Sequence, residues 1–448
     1  MRTLLQLLTA QRDWQSYPTF KAQFERAARE LAGIEGTPHL AHLAPSERTY
    51  ERWYLGETKP VPDARRVLVH MFGYAIDELL TPPVAGVHVP VTDSRARRPP
   101  PDGHFSTGAN IHEMERQAAM AASRALRYAV MAETNSIGAE TFGHIRDEVR
   151  RIGAAYPRVA LHEILPDLTE VHDLIFRLLE SGRATPAQGV DLQLLASMAS
   201  GMLAKASHDL SDPRSAMMQA RAAYVCADQA GHTGMRAWVR GLQSLISYWA
   251  GRPADAVVYA GQGNALLTAP AGTVAVWLAA QEACAHAALG DSDRVRASLA
   301  RATDARDVAV LDDLDSIGGI FTFPQPRETY YAAEALVLLG TPGPEKERAA
   351  QEAVHAYSAA PADEWAFGAE AGARSGLALA RISEGDIDGA AEALGPVLDL
   401  PSGRRKNGVV ISVQRVHDAL STGRARAARR AGDLRAELEV FTATSLPR

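Results

Sequence analysis

Apolar residues in this chain recur three and four positions apart, the spacing of one helix face, and nothing in the pattern suggests a sheet-dominated protein. Leu4, Leu5 and Leu8 predict a short helix from Leu4 to Arg12. Phe20, Phe24, Ala27, Ala28 and Leu31 predict a second over Thr19–Leu31, with Gly33 and Gly36 expected to end it. His39 to Leu43 has room for one extra turn. Ser46 suits an N-cap, with Thr49 at the third helical position. Tyr50 and Trp53 then fall three apart and should face the core, which leaves Ser46, Arg48, Thr49 and Arg52 on the outward side. Gly56 is a stop. Pro62 suits the first turn of a further helix striped with Val67, Leu68 and Met71 and ended by Gly73. A last short helix runs to Leu79-Leu80.

Residues 81–109 read as a linker. Pro82-Pro83, Pro90, Pro99-Pro100-Pro101, Gly86, Gly103 and Gly108 cannot sustain a helix or a central strand. From Ile111 the helical pattern hardly stops, with segments expected over 111–133, 138–153, 166–181, 187–209, 213–230 and 233–250. Beyond these, glycine turns recur at Gly251, Gly290, Gly340 and Gly385. Small or branched apolar residues (Ala256, Val295, Ala390) stand five positions after three of them. A hairpin repeat of this kind buries its face only against neighbours, so the chain from 110 to 448 is expected to stack as a solenoid of irregular repeats. Ile317-Gly318-Gly319-Ile320-Phe321-Thr322-Phe323-Pro324-Gln325-Pro326 breaks the pattern. It predicts a long ordered loop that packs onto, or lids, the concave surface of the array.

Composition agrees with a helical protein: 46% of the 448 residues are apolar, only 6% are aromatic, and alanine, the best helix former, is abundant. The net charge of −6 argues weakly against nucleic acid as a partner, but the excess acid lies beyond residue 105. Residues 1–80 hold ten Lys+Arg and ten Asp+Glu, so any DNA affinity there depends on placing charge on one face. Cys226 and Cys284 are the only cysteines, which suits a reducing, cytoplasmic compartment and inert buried thiols. The apolar start at Leu4-Leu5 is interrupted by Gln6, Gln11, Arg12 and Asp13, unlike a signal peptide, and no apolar run is long enough to span a membrane. The histidines form no metal-site pattern. No phosphate loop, nucleophile elbow or zinc-protease motif occurs, so neither a cofactor nor an enzymatic activity is expected.

The run Ser46-Glu47-Arg48-Thr49-Tyr50-Glu51-Arg52-Trp53, followed by Gly56, resembles the recognition-helix segment of the XRE (Cro/repressor-like) helix-turn-helix family. Residues Pro62 to Gly73 look like that family's fourth helix. The runs Ala204 to Leu210 and Arg236 to Leu245 resemble actinobacterial regulators that join such a reader to a tetratricopeptide-like region. One departure is that the segment ahead of Ser46 is longer than in typical repressors.

The resemblance implies an all-α chain: a DNA-binding domain over 1–80, the linker over 81–109, and a tetratricopeptide-like sensing and dimerisation domain over 110–448. Its partner would be double-stranded DNA, bound as a homodimer, under control of a peptide or small-molecule signal. Arg48 and Thr49 are the candidates to reach base edges, with Ser46, Arg52 and Lys59 on phosphates. On the inner face of the array, Arg236, Arg240, Gln243, Trp277, Tyr330 and Arg374 are the candidates for a ligand groove, alongside Trp238, Tyr248, Trp249, Tyr331 and Trp365. The alternative is a tetratricopeptide-type interaction scaffold with a vestigial helix-turn-helix domain, which the neutral charge of residues 1–80 keeps open.

Overall fold

The computed structural model describes residues 3–81 and 137–443, apart from 12, 13, 15, 36, 37, 56, 57, 73–75, 269, 270, 341–343 and 423–427; between 82 and 136 only Ala121, Ala122 and Ala125 are described. The expected stops at Gly36, Gly56 and Gly73 lie outside the described residues, as do nearly all of the linker and the expected helix over 111–133. The regular elements are all helical, and no strand occurs among the described residues. The chain divides into two compact units, Met1–Ser106 and Thr107–Arg448.

In the first unit, α1 (Leu4–Gln11), α2 (Tyr17–Glu35), α3 (Glu47–Tyr54), α4 (Pro62–Phe72) and the single turn α5 (Ile76–Leu79) enclose one core. Leu5, Phe20, Phe24, Leu40, Val67, Leu68 and Leu79 are fully buried there. Tyr50 stacks on Phe20 with ring centroids 4.4 Å apart, and Trp53 lies against Phe24 at 6.1 Å. Helix α2 runs one turn longer than expected, straight through Gly33. Glycine only weakens a helix interior by about 1 kcal/mol, too little to end one whose apolar stripe continues to Ala32. The long segment before α3 is taken up by a 3-10 turn over Pro38–His42, which buries Leu40.

In the second unit, α6 (Ala139–Ala155), α7 (Leu161–Glu180), α8 (Pro186–Asp209), α9 (Pro213–Gln229), α10 (Thr233–Trp249), α11 (Pro253–Asn264), α12 (Val274–Ala288) and α13 (Ser292–Asp307) follow one another through short turns. After an irregular stretch come α14 (Gln325–Leu339), α15 (Glu345–Ser358), α16 (Phe367–Glu384), α17 (Ile387–Leu398), α18 (Asn407–Leu420) and α19 (Arg429–Ala443). Successive helices pack on each other in a solenoid-like array. Gly251, Gly290, Gly340 and Gly385 all take positive φ, from 63° to 88°, the left-handed conformation that closes a helix. Ala256, Val295 and Ala390 are fully buried behind their turns. Helix α7 starts five residues before the expected position and carries Pro166 within it. A proline this near the N-terminus forfeits only one intrahelical bond, while Leu161, Ile164, Leu168 and Val171 keep an unbroken buried stripe.

Candidate functional site

Two surfaces merit attention, one in each unit. In the first unit, Ser46 Oγ accepts the Thr49 backbone N–H at 3.3 Å and shares a 2.7 Å hydrogen bond with the Thr49 hydroxyl. That cap fixes the start of α3. Burial of Tyr50 and Trp53 fixes its rotation, and burial also pushes the Tyr50 hydroxyl up to about 12. The Tyr17 hydroxyl donates to the Pro45 carbonyl at 3.0 Å and ties the start of α2 to the base of α3. The consequence is that Arg48, Arg52 and Lys59 are exposed, Ser46 is exposed, and Thr49 is half-buried. The Ser46 and Thr49 hydroxyls are already engaged in the cap. Neither Arg48 nor Arg52 has an ion pair among the described residues, the neighbouring Glu47 and Glu51 included. Leu55 and Val61, which the sequence pattern did not single out, are also exposed at the turn after α3.

In the second unit, a cavity of about 170 Å³ opens on the inner side of the array. Trp238 from α10, Trp277 from α12 and Tyr330 and Tyr331 from α14 line it, together with Phe321 and Phe323 from the irregular stretch. That stretch lies directly on the aromatic surface. Phe321 sits 5.0 Å from Trp238 and Phe323 6.5 Å from Trp277, centroid to centroid. Trp238 Nε1 donates to the Ile320 carbonyl at 3.2 Å, and Ile320 N donates to the Gly153 carbonyl at 3.0 Å. Gly319, at φ 60°, passes so close that a Cβ there would stand 2.2 Å from the Gly153 carbonyl oxygen.

Glycines also set the two indole rings. A Cβ on Gly201 would meet Trp238 at 2.7 Å, and one on Gly241 would meet Trp277 at 2.8 Å. Both glycines sit in mid-helix, where they cost stability, and both are repaid in close packing. A glycine inside an otherwise strong helix pattern is the signal that could have located this site in the sequence.

One wall of the cavity is charged. The Asp209 carboxylate, 3% exposed, accepts from Lys205 Nζ and from the Tyr156 hydroxyl at 3.0 Å, and Lys406 Nζ stands 3.6 Å away. Burial alone would raise this carboxyl. The Lys205 and Lys406 ammonium groups outweigh burial and bring it down to about 2. His208 is driven down to about 3 by burial and by Lys205, so its ring is neutral. Lys406 falls to about 8, chiefly because its ammonium is desolvated, and it rests 4.7 Å from both the Tyr156 and Phe367 rings. Arg327 lies on the same cavity, its Nη1 donating to the Thr322 carbonyl at 3.1 Å.

Of the six expected groove residues, Trp277 and Tyr330 line the cavity. The other four do not, because each has a partner elsewhere. Arg236 pairs with Asp228 at 2.9 Å. Arg240 lies 3.9 Å over the Tyr224 ring and donates to the buried Gln243 side chain at 2.8 Å. Arg374 is held by Glu370 at 2.8 Å, whose other oxygen accepts from Trp365 Nε1. Long polar side chains at helical spacing find carboxylates and rings on neighbouring turns, which spacing alone does not show. Lys205, Asp209, Arg327 and Lys406 were the residues missed. They lie 201 positions apart at the extremes, and only the fold brings them together. Cys226 and Cys284 are buried, and burial pushes both thiols up, away from the reactive thiolate.

No group of His, Cys, Asp and Glu among the described residues could hold a metal ion, and none of their helices is long and apolar enough to cross a membrane. The chain matches no model of a known protein family and no curated protein.

Proposed function

We propose that this chain is a DNA-binding transcription regulator of the cytoplasm, working as a homodimer, whose helical-repeat unit senses a small ligand or partner. The observation that carries this is the face of α3. It is a capped helix, rotationally fixed by two buried aromatics, that offers Arg48 and Arg52 to solvent four residues apart with no acidic partner among the described residues. Arg48 reads guanine through two parallel hydrogen bonds while Arg52 meets a phosphate, and the exposed Leu55 and Val61 suit the thymine methyl group. In a dimer, two such helices would meet half-sites one or more helical turns apart, about 34 Å each. A ligand in the second unit regulates this only if it prefers one of two shapes of the dimer.

Mobility-shift assays with genomic fragments, including the region upstream of this protein's own coding sequence, test the proposal. Retarded fragments are expected, with affinity falling steeply between low and physiological salt as counterions are released. Absence of any specific shift, or a flat salt response, would leave the scaffold alternative standing instead.

A further inference from the structure

The cavity in the second unit has a chemistry of its own. Three cationic side chains face it, Lys205, Lys406 and Arg327, against one carboxylate, Asp209, and the neighbouring His208 is neutral. Asp209 is fully occupied by Lys205, Lys406 and Tyr156. The carboxylates nearest to Arg327 in the chain, and Glu370 on helix α16, have arginines already. Glu328 holds Arg306 at 2.7 Å, Glu334 holds Arg415 at 2.9 Å and Glu370 holds Arg374 at 2.8 Å. Arg327 has no ion pair among the described residues, yet its guanidinium is half-buried beside Phe323, 5.9 Å from the ring centroid. Buried charge without a counter-charge is costly, and the guanidinium fork fits a carboxylate through two parallel hydrogen bonds.

The rest of the lining is aromatic and rigid. Trp238 and Trp277 stand 5.8 Å apart with planes tilted by 53°, and Phe321 and Phe323 close on them. Rings at such distances are in contact with one another, so a further ring packs against the surface they share. The volume selects the guest. A cavity of about 150 Å³ holds benzene, so about 170 Å³ holds one ring and a small substituent and leaves no room for an extended peptide.

We propose that this cavity binds a monocyclic aromatic carboxylate, its ring packed against Trp238, Trp277 and Phe323 and its carboxylate on Arg327, in the positive field of Lys406. The inference rests on the sensor reading above and names the class of signal, a small aromatic acid rather than a peptide. Filling the cavity joins α10, α12, α14 and the stretch carrying Phe321 and Phe323 through one guest.

The test is binding to the full chain in the absence of DNA, followed by tryptophan fluorescence and calorimetry, with benzoate and phenylacetate as probes. Saturable binding of one or both is expected, with the uncharged isostere benzamide or phenylacetamide at least tenfold weaker. Arg327→Met is expected to weaken the acid about tenfold or more and to leave the amide unchanged. Arg348→Met, on an exposed surface, is expected to match the wild type. No saturable signal from either acid, equal affinity for acid and amide, or wild-type affinity in Arg327→Met would each overturn the proposal. Should Arg327→Met not fold, the acid-against-amide comparison on the wild type decides alone. Because no DNA is present, failure here is separate from failure of the mobility shift.

Discussion

At the scale of single residues, the second unit is governed by what stands opposite each small side chain. Gly241 and Gly261 are both helical glycines, and alanine should act on them in opposite directions. Gly261 has open space where a Cβ would go, so Gly261→Ala is expected to stabilise by up to about 1 kcal/mol through helix propensity. Gly241→Ala drives a methyl into Trp277 and is expected to destabilise by about 1–3 kcal/mol. Urea unfolding of both variants, with a red shift of tryptophan emission in Gly241→Ala, checks the pair. His208 supplies a second residue-scale expectation. Its folded value near 3 lies below the ordinary 6.5, so the unfolded chain takes up a proton that the folded chain refuses. Stability from this group is therefore complete above about 6.5 and is lost as pH falls toward 3, and the lowered Asp209 carboxyl adds a loss of the same sign lower still. Melting temperatures between pH 7 and 4 should fall less steeply in His208→Gln than in the wild type. In the first unit, Arg52→Ala, which removes a phosphate contact, is expected to weaken DNA binding about equally across sequences and to lower its salt dependence while leaving thermal stability unchanged, read by mobility shift and melting.

At the scale of elements, most helices were legible because each carries its own instructions. Ser46, Asp212, Asp291 and Asp386 cap helices, Pro62, Pro186, Pro213 and Pro253 open them, and positive-φ glycines close them. The errors occurred where a local rule met a longer stripe. Gly33 read as a stop and Pro166 as a start, yet α2 runs on to Glu35 behind a buried face that reaches Ala32, and the buried face of α7 begins at Leu161 and runs past Pro166. Contacts between distant helices were not legible at all. Helices α10, α14 and α18 meet at Glu334, which accepts from the Tyr248 and Tyr330 hydroxyls and from Arg415, all at 2.9 Å. Nothing in the pattern around Glu334 announces three partners from three elements. Glu334→Gln leaves a largely buried arginine without its counter-charge and is expected to destabilise by about 2–3 kcal/mol, measured by chemical denaturation. The charged wall of the cavity was hidden for the same reason, since Asp209 and Lys406 close α8 and precede α18.

At the scale of the whole molecule, the first unit has a core of its own, built from Leu4 through Leu79. Residues 1–106 expressed alone are therefore expected to fold, with helical circular dichroism and a melting transition. An unstructured product would show that this core does not suffice. The second unit resembles a solenoid in connectivity, and solenoids usually hold together through adjacent repeats only, which lets them fray from their ends. The stretch after α13 changes that expectation. Its Ile320 amide reaches back 167 residues to Gly153 on α6, with Trp238 of α10 fastened to the same residue. One peptide segment thus staples α6 to the middle of the array. The array should lose its structure in a single cooperative step, α6 as protected from amide exchange as the centre, where an unstapled spring of helices would unwind one coil at a time.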